Sequence, residues 1–173
     1  VNASVFTVPV QSWSTGSTAS LAYMELLGLI NKAALIDPQY ASSSCLLKLG
    51  GCDVITGMAS GGGEFDAWAN ATRASTSALH FTDSRRTGKS YSSIDVDFTS
   101  TSDPGALAQV EWIKYLAAFF NLEPHANRVC AEIKAEFEQT TARTAAAVAG
   151  GVVAPKVLWI STATPGQWGS PAT

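Results

Sequence analysis

Residues 93–98 read Ser-Ile-Asp-Val-Asp-Phe, with Ile94, Val96 and Phe98 on one side and Asp95 and Asp97 on the other. A period of two predicts a half-buried strand. After it the period lengthens. Leu107, Val110, Ile113, Leu116, Ala117 and Phe120 fall at helical spacing behind Asp103-Pro104, which predicts a helix with Asp103 as its N-cap. Glu123-Pro124 interrupts it, because a proline disfavours helix in the residue before it. A second helix follows, with Ala126, Val129, Cys130, Ile133, Phe137, Thr140 and Thr144 on one face, and Gly150-Gly151 ends it.

Earlier in the chain the pattern is shorter-ranged. Residues 5–10 (Val-Phe-Thr-Val-Pro-Val) are β-rich and predict a first strand, with Pro9 placing it at an edge or at its end. Residues 11–16 then form a polar turn around Trp13. Ser17 or Thr18 caps a helix facing inward through Leu21, Met24 and Leu27, with Gly28 as its C-terminal glycine. Residues 41–51 are loop-like with one short helical piece, and residues 53–58 are a strand candidate. A Ser-Gly-Gly-Gly loop covers 60–63, a helical composition 64–74, and a further strand 78–82. Residues 155–161 open a fresh strand leading into a polar loop, 162–169, that carries Trp168. Strand–loop–helix succession of this kind predicts the α/β class.

Composition narrows the function. Hydrophobic residues make up 46% of the 173 and charged residues 14%, which is a globular balance. The net charge is −3 and the longest basic run is Arg85-Arg86, so a nucleic-acid footprint is absent. No apolar run approaches the roughly 18 residues that span a bilayer. Asn2-Ala3-Ser4 and Asn70-Ala71-Thr72 are N-glycosylation sequons. Cys45 and Cys52 bracket a segment that Gly50-Gly51 lets turn back, giving a local disulfide in an oxidising compartment or else two free thiols. Cys130 is a small buried residue or one whose partner lies in sequence outside these 173 residues.

Catalytic and metal templates find no match. There is no Gly-x-Ser-x-Gly elbow, Walker loop or His-Glu-x-x-His, and neither His80 nor His125 has a second ligand at metal spacing. Asp95 and Asp97 fit a solvated strand face better than a carboxylate pair. No catalytic residue, metal or cofactor is predicted. A hydrolase using Ser14 or Asp83 would need a base, and none sits at a recognisable spacing.

The run from Asp103-Pro104-Gly105 through Glu111-Trp112-Ile113-Lys114 and Phe119-Phe120-Asn121-Leu122-Glu123, then Ala126-Asn127 to Phe137, resembles the backbone helices of type III periplasmic-binding-protein-like receptors. It is most similar to the eukaryotic algal cobalamin-acquisition proteins. The resemblance implies an N-terminal α/β lobe over 1–102, connecting backbone helices over 103–150, and the first strand and loop of a second lobe over 151–173. The rest of that lobe would come from the remainder of the chain or from a partner chain. It further implies a secreted or cell-surface protein that captures cobalamin, or a related tetrapyrrole or iron chelate, and hands it to a membrane transport component. By analogy the ligand loops carry Trp13, Ser14, Thr15, Thr82, Asp83, Arg85 and Trp168. The tryptophans would supply flat apolar faces, the hydroxyls hydrogen bonds, and Arg85 a counter-charge. Trp13 packed within the lobe, and Arg85 and Arg86 in a solvated turn, are the plainer readings. Trp112, Phe120 and Trp68 read as packing. The competing function is a structural or adhesion module of an extracellular assembly that kept the fold without the ligand.

Overall fold

The computed structural model describes residues 5–36, 41–52, 56–57, 78–82, 92–157, 162–164 and 167–169. The chain divides into two compact units, Val1–Lys134 and Ala135–Thr173. The first unit contains a five-stranded, wholly parallel sheet in the order β3-β2-β1-β4-β5, built from β1 (Trp13–Thr15), β2 (Ala33–Ile36), β3 (Thr56–Gly57), β4 (Leu79–Thr82) and β5 (Asp95–Asp97). Helix α1 (Leu21–Leu26) links β1 to β2, and α2 (Ser44–Gly51) lies between β2 and β3. Helices α3 (Ala106–Ala118) and α4 (Glu123–Ala149) follow the sheet. The chain is therefore of the α/β class.

The strand predicted at 78–82 is present as β4, that at 93–98 as β5, and that at 53–58 in part as β3. The predicted first strand is corrected: residues 5–12 form no strand, and the chain enters the sheet only at Trp13, inside the segment read as a polar turn. Residues 5–10 are anchored elsewhere. Val10 N–H donates to Phe119 O at 2.8 Å, and the Phe6 ring meets Phe119 edge-on at 5.6 Å. Pro9 brings no N–H to a ladder, which removes a donor where a strand would need one.

Alternation along the strands gives the sheet two unlike faces. Trp13, Ile36, Phe81 and Val96 are buried in an apolar cluster with Leu21, Met24 and Leu27, and with Ile113, Leu116 and Ala117 from α3 and Ala126 and Cys130 from α4. Aromatic rings knit that side together: Phe98 lies 5.4 Å from Tyr23 and 5.3 Å from Trp112, and Phe81 lies 6.2 Å from Phe119. The opposite face carries Leu35, Ser14 and His80, in cross-strand register and also buried.

Helix punctuation follows the sequence at most ends. Gly28 has φ +70°, a left-handed cap that other residues adopt at a cost. Ser17 opens the turn before α1 by accepting from Ala19 N–H. Asn121, at φ 56°, closes α3 while Leu122 N–H returns to Ala117 O, and α4 then begins at Glu123 with Pro124 in its first turn. One cap is corrected. Gly105, at φ +86°, is the N-cap of α3, and the Asp103 carboxylate instead accepts the Trp112 indole N–H at 2.6 Å.

In the second unit α4 ends at Ala149 and the chain turns at Gly151, φ +91°. Of the strand predicted at 155–161, residues 155–157 are not strand and 158–161 lie outside the described residues. Inside the predicted polar loop lies a two-stranded antiparallel hairpin, β6 (Thr162–Thr164) and β7 (Gln167–Gly169). Among the described residues no helix is long and apolar enough to cross a membrane.

Candidate functional site

The strand order reverses between β1 and β4. From β1 the chain goes on to β2 on one side, and from β4 to β5 on the other. Connections that leave two neighbouring strands in opposite directions open a crevice at their carboxyl ends, which is the usual ligand position in open α/β sheets. Here those ends are Thr15 and Thr82, on strands that pair Trp13 with Leu79, Ser14 with His80 and Thr15 with Phe81. The topology thus brings Trp13, Ser14 and Thr15 beside Thr82, from positions 67 to 69 residues apart in the chain.

The side chains of β1 are already engaged. Trp13 is fully buried and its indole N–H donates to Leu29 O at 2.8 Å, so its ring packs within the lobe. Thr15 Oγ1 lies 2.9 Å from Ser17 O and 3.2 Å from Phe81 O, and it accepts from Ser17 N–H and Ser20 Oγ–H, each at 3.1 Å. One hydroxyl proton and two lone pairs are then in use. Gly16 N–H reaches Phe81 O at 3.4 Å. These bonds make the rim at β1 a stiff, pre-set edge, with Thr82 half-buried beside it.

Ser14 holds the arrangement that sequence spacing hid. Its Oγ lies 2.7 Å from His80 Nδ1 and 3.4 Å from Leu79 O. With the ring neutral and protonated on Nε2, Ser14 donates to Nδ1. With Nδ1 protonated, the hydroxyl can accept from it and turn to Leu79 O. The separation suits a nucleophile and its base. Ser14, however, is 0% exposed in mid-strand, so its oxygen is not presented to a substrate. His125 bonds locally: its Nε2 donates to Leu26 O at 3.0 Å, leaving Nδ1 to accept from Arg128 at 2.8 Å.

Open space lies along α1. A groove of about 230 Å³ starts at the exposed Thr18, just past the carboxyl end of β1, and is lined by Leu21, Ala22, Glu25, Ser42 and Ser43. Its hydroxyls and one carboxylate stand against an apolar floor. Drug-sized ligands occupy roughly 300–1,000 Å³, so the groove alone takes a fragment of a large ligand. From the sequence Thr18 was read only as a candidate cap of the first helix, and Glu25, next to the last residue of α1, was not read as a ligand contact.

Asp83, Arg85, Asn2 and Asn70 lie outside the described residues. So do the predicted loop 60–63 and the predicted helix 64–74 with Trp68. Trp168 lies in β7, opposite Ala163. The disulfide is corrected: Cys45, Cys52 and Cys130 are free thiols. Residues 44–51 form α2, which sets Cys45 and Cys52 about 10 Å apart along its axis, beyond the ~7 Å a disulfide spans. Among the described residues no cluster of three metal-ligating side chains occurs.

Fold and site together define an α/β chain with a parallel sheet, a reversal in strand order and a small groove along α1. No known protein family matches the sequence, and no curated protein does.

Proposed function

We propose that this chain is the binding lobe of a non-catalytic extracellular receptor that captures cobalamin, or a related tetrapyrrole or iron chelate, for uptake. The supporting observation is the reversal of strand order between β1 and β4; the groove at Thr18 begins three residues beyond the carboxyl end of β1. A rim already tied by hydrogen bonds suits capture, since a pre-organised surface loses little freedom on binding. A groove with Thr18, Ser42 and Ser43 hydroxyls over Leu21 and Ala22 suits the edge of a large ring, where amide or carboxylate arms leave an apolar body. Asp83 and Arg85, which follow Thr82 in the sequence, would contact the remainder. Delivery across a membrane then requires a separate transport component.

Calorimetric titration of the folded protein with cyanocobalamin, haem and a ferric hydroxamate tests the reading. Saturable heat with one of the three is expected, and Thr18→Trp, which fills the groove, should weaken it at least about tenfold, the loss of one well-placed contact region. No heat with any of the three, from a protein whose circular dichroism reports a folded state, would remove ligand capture and leave the adhesion module.

A further inference from the structure

We infer that the groove along α1 takes a primary alkylammonium arm, with the Glu25 carboxylate as the group that selects it. The inference deepens the capture reading at the same groove, and it rests on that reading for the body of the ligand that carries the arm. Thr18, Ala22 and Glu25 fall at helical spacing on the run that passes from the turn at Thr18–Ser20 into α1, so they share one side of it. At about 1.5 Å per residue, Thr18 and Glu25 stand roughly 10 Å apart along the axis. Leu21 and Ala22 lie between them, and Ser42 and Ser43 complete the lining of a space of about 230 Å³. An extended alkyl chain fits along this apolar middle. Its free end then comes to Glu25, whose side chain leans back over the preceding turn, as helical side chains do.

Charge decides which terminal group the groove accepts. Glu25 lines it, and no Lys, Arg or His does. Among the described residues the Glu25 carboxylate has no ion-pair or hydrogen-bond partner. Arg128, which reaches this end of α1 through His125 and the Leu26 carbonyl, is held by His125 at 2.8 Å and Glu132 at 4.0 Å. The carboxyl end of α1, the negative end of its dipole, adds to the same sign. Acceptors predominate: the carboxylate only accepts, and the Thr18 and Ser42 hydroxyls can accept as well, while Ser43 Oγ already takes the Leu46 N–H at 3.3 Å. A primary ammonium answers with donors and opposite charge, and a primary amide with donors alone. A carboxylate has no donor and repels Glu25. The order of preference is therefore ammonium, amide, carboxylate. Leu21 and Ala22 favour an organic cation over a metal ion.

NMR titration of the full chain at constant ionic strength tests the site, with n-pentylammonium, pentanamide and pentanoate as probes and methylammonium as the control for simple ion pairing. Saturable shifts of the Thr18, Ala22, Glu25 and Ser42 backbone N–H groups are expected with n-pentylammonium. Pentanamide should bind more weakly, and pentanoate and methylammonium should not saturate over the same range. Glu25→Gln should weaken n-pentylammonium binding roughly threefold to fivefold and bring it close to that of pentanamide. Glu25 is exposed, so E25Q leaves the fold intact. No saturable shift at these residues, equal affinity for pentanoate or methylammonium, or unchanged affinity in E25Q would overturn the inference. The small probes bind or fail independently of the macrocycles, so a calorimetric failure of cobalamin, haem and the hydroxamate removes capture without deciding this result.

Discussion

On one face of the sheet Trp13, Ile36, Phe81 and Val96 run into an apolar cluster filled from α1, α3 and α4; on the other, Ser14 and His80 share a hydrogen bond beside Leu35. Both sets are buried, but they are stabilised by different physics. Apolar packing has no direction and scales with the area removed from water, so it tolerates changes that conserve volume. A buried hydroxyl–imidazole pair contributes little net energy while it is made and costs more when one partner is lost. The apolar face supplies the bulk of stability. The polar face ties β1 to β4, the two strands whose carboxyl ends frame the candidate site.

The largest separation between the faces is expected at Phe81. Its ring is fully buried and contacts Phe98 at 6.3 Å and Phe119 at 6.2 Å, so no neighbour can collapse into its place without disturbing two others. Phe81→Ala should cost about 3–5 kcal/mol, read from the midpoint of chemical denaturation. A loss below about 1 kcal/mol would mean that the apolar face is not the main source of stability.

How far each face was legible in the sequence follows from the same contrast. Apolar periodicity is a local signal, so β5, the stripe of α3 and the break at Glu123-Pro124 could all be read along the chain. β1 could not. It is three residues long and two of them, Ser14 and Thr15, are polar, which matches a turn until their partners are known. Those partners, His80 and Phe81, are 66 residues away in the sequence. Residues 5–10 have stronger β propensity, and tertiary anchoring at Phe119 overrode it. The Cys45–Cys52 segment failed for a related reason. Gly50 and Gly51 read as a turn, but the hydrogen-bonded helix runs through Gly51 and separates the thiols. Asp103 had the composition of a cap, and the competing claim of the Trp112 indole, nine residues on, left no local trace. Of the site itself, Thr82 was legible as a strand end, whereas Thr15 was read as part of a polar turn. The groove depends on Ser42 and Ser43 meeting α1, which only the fold reveals.

An intermediate effect is expected on the polar face. Ser14→Ala removes a small hydroxyl and leaves almost no cavity, so an apolar account of this position predicts a change near zero. The hydrogen-bond account predicts a loss of about 1–3 kcal/mol, because His80 Nδ1 gives up its 2.7 Å contact in a place water does not reach. Ser14→Thr, which keeps the hydroxyl, separates lost bonding from lost shape if it recovers part of the difference. A stability within about 0.5 kcal/mol of wild type for Ser14→Ala would erase the distinction between the faces.

The smallest effect should come from the ionisable group that the apolar cluster contains. Cys130 lies at the rim of that cluster on α4, with its thiol 3.4 Å from Glu111. Burial, then its bond to Glu111, raises the thiol above its ordinary value of 9.0. The folded protein therefore holds the proton more tightly than the unfolded chain does. Between the unfolded and folded values the native state binds more protons, and stability falls as pH rises. This contribution is fully present below about pH 9 and is lost progressively above it. Cys130→Ala should flatten that decline when denaturation midpoints are compared at pH 8 and pH 10, apart from a pH-independent offset for the removed sulfur. Burial, then the Asp97 charge, also raises Tyr115 above its ordinary 10.0, so Tyr115→Phe isolates its share at the alkaline end. An undiminished decline in Cys130→Ala would show that the apolar side accepts a thiolate as readily as water does, and the difference between the two faces would then rest on Ser14 and His80 alone.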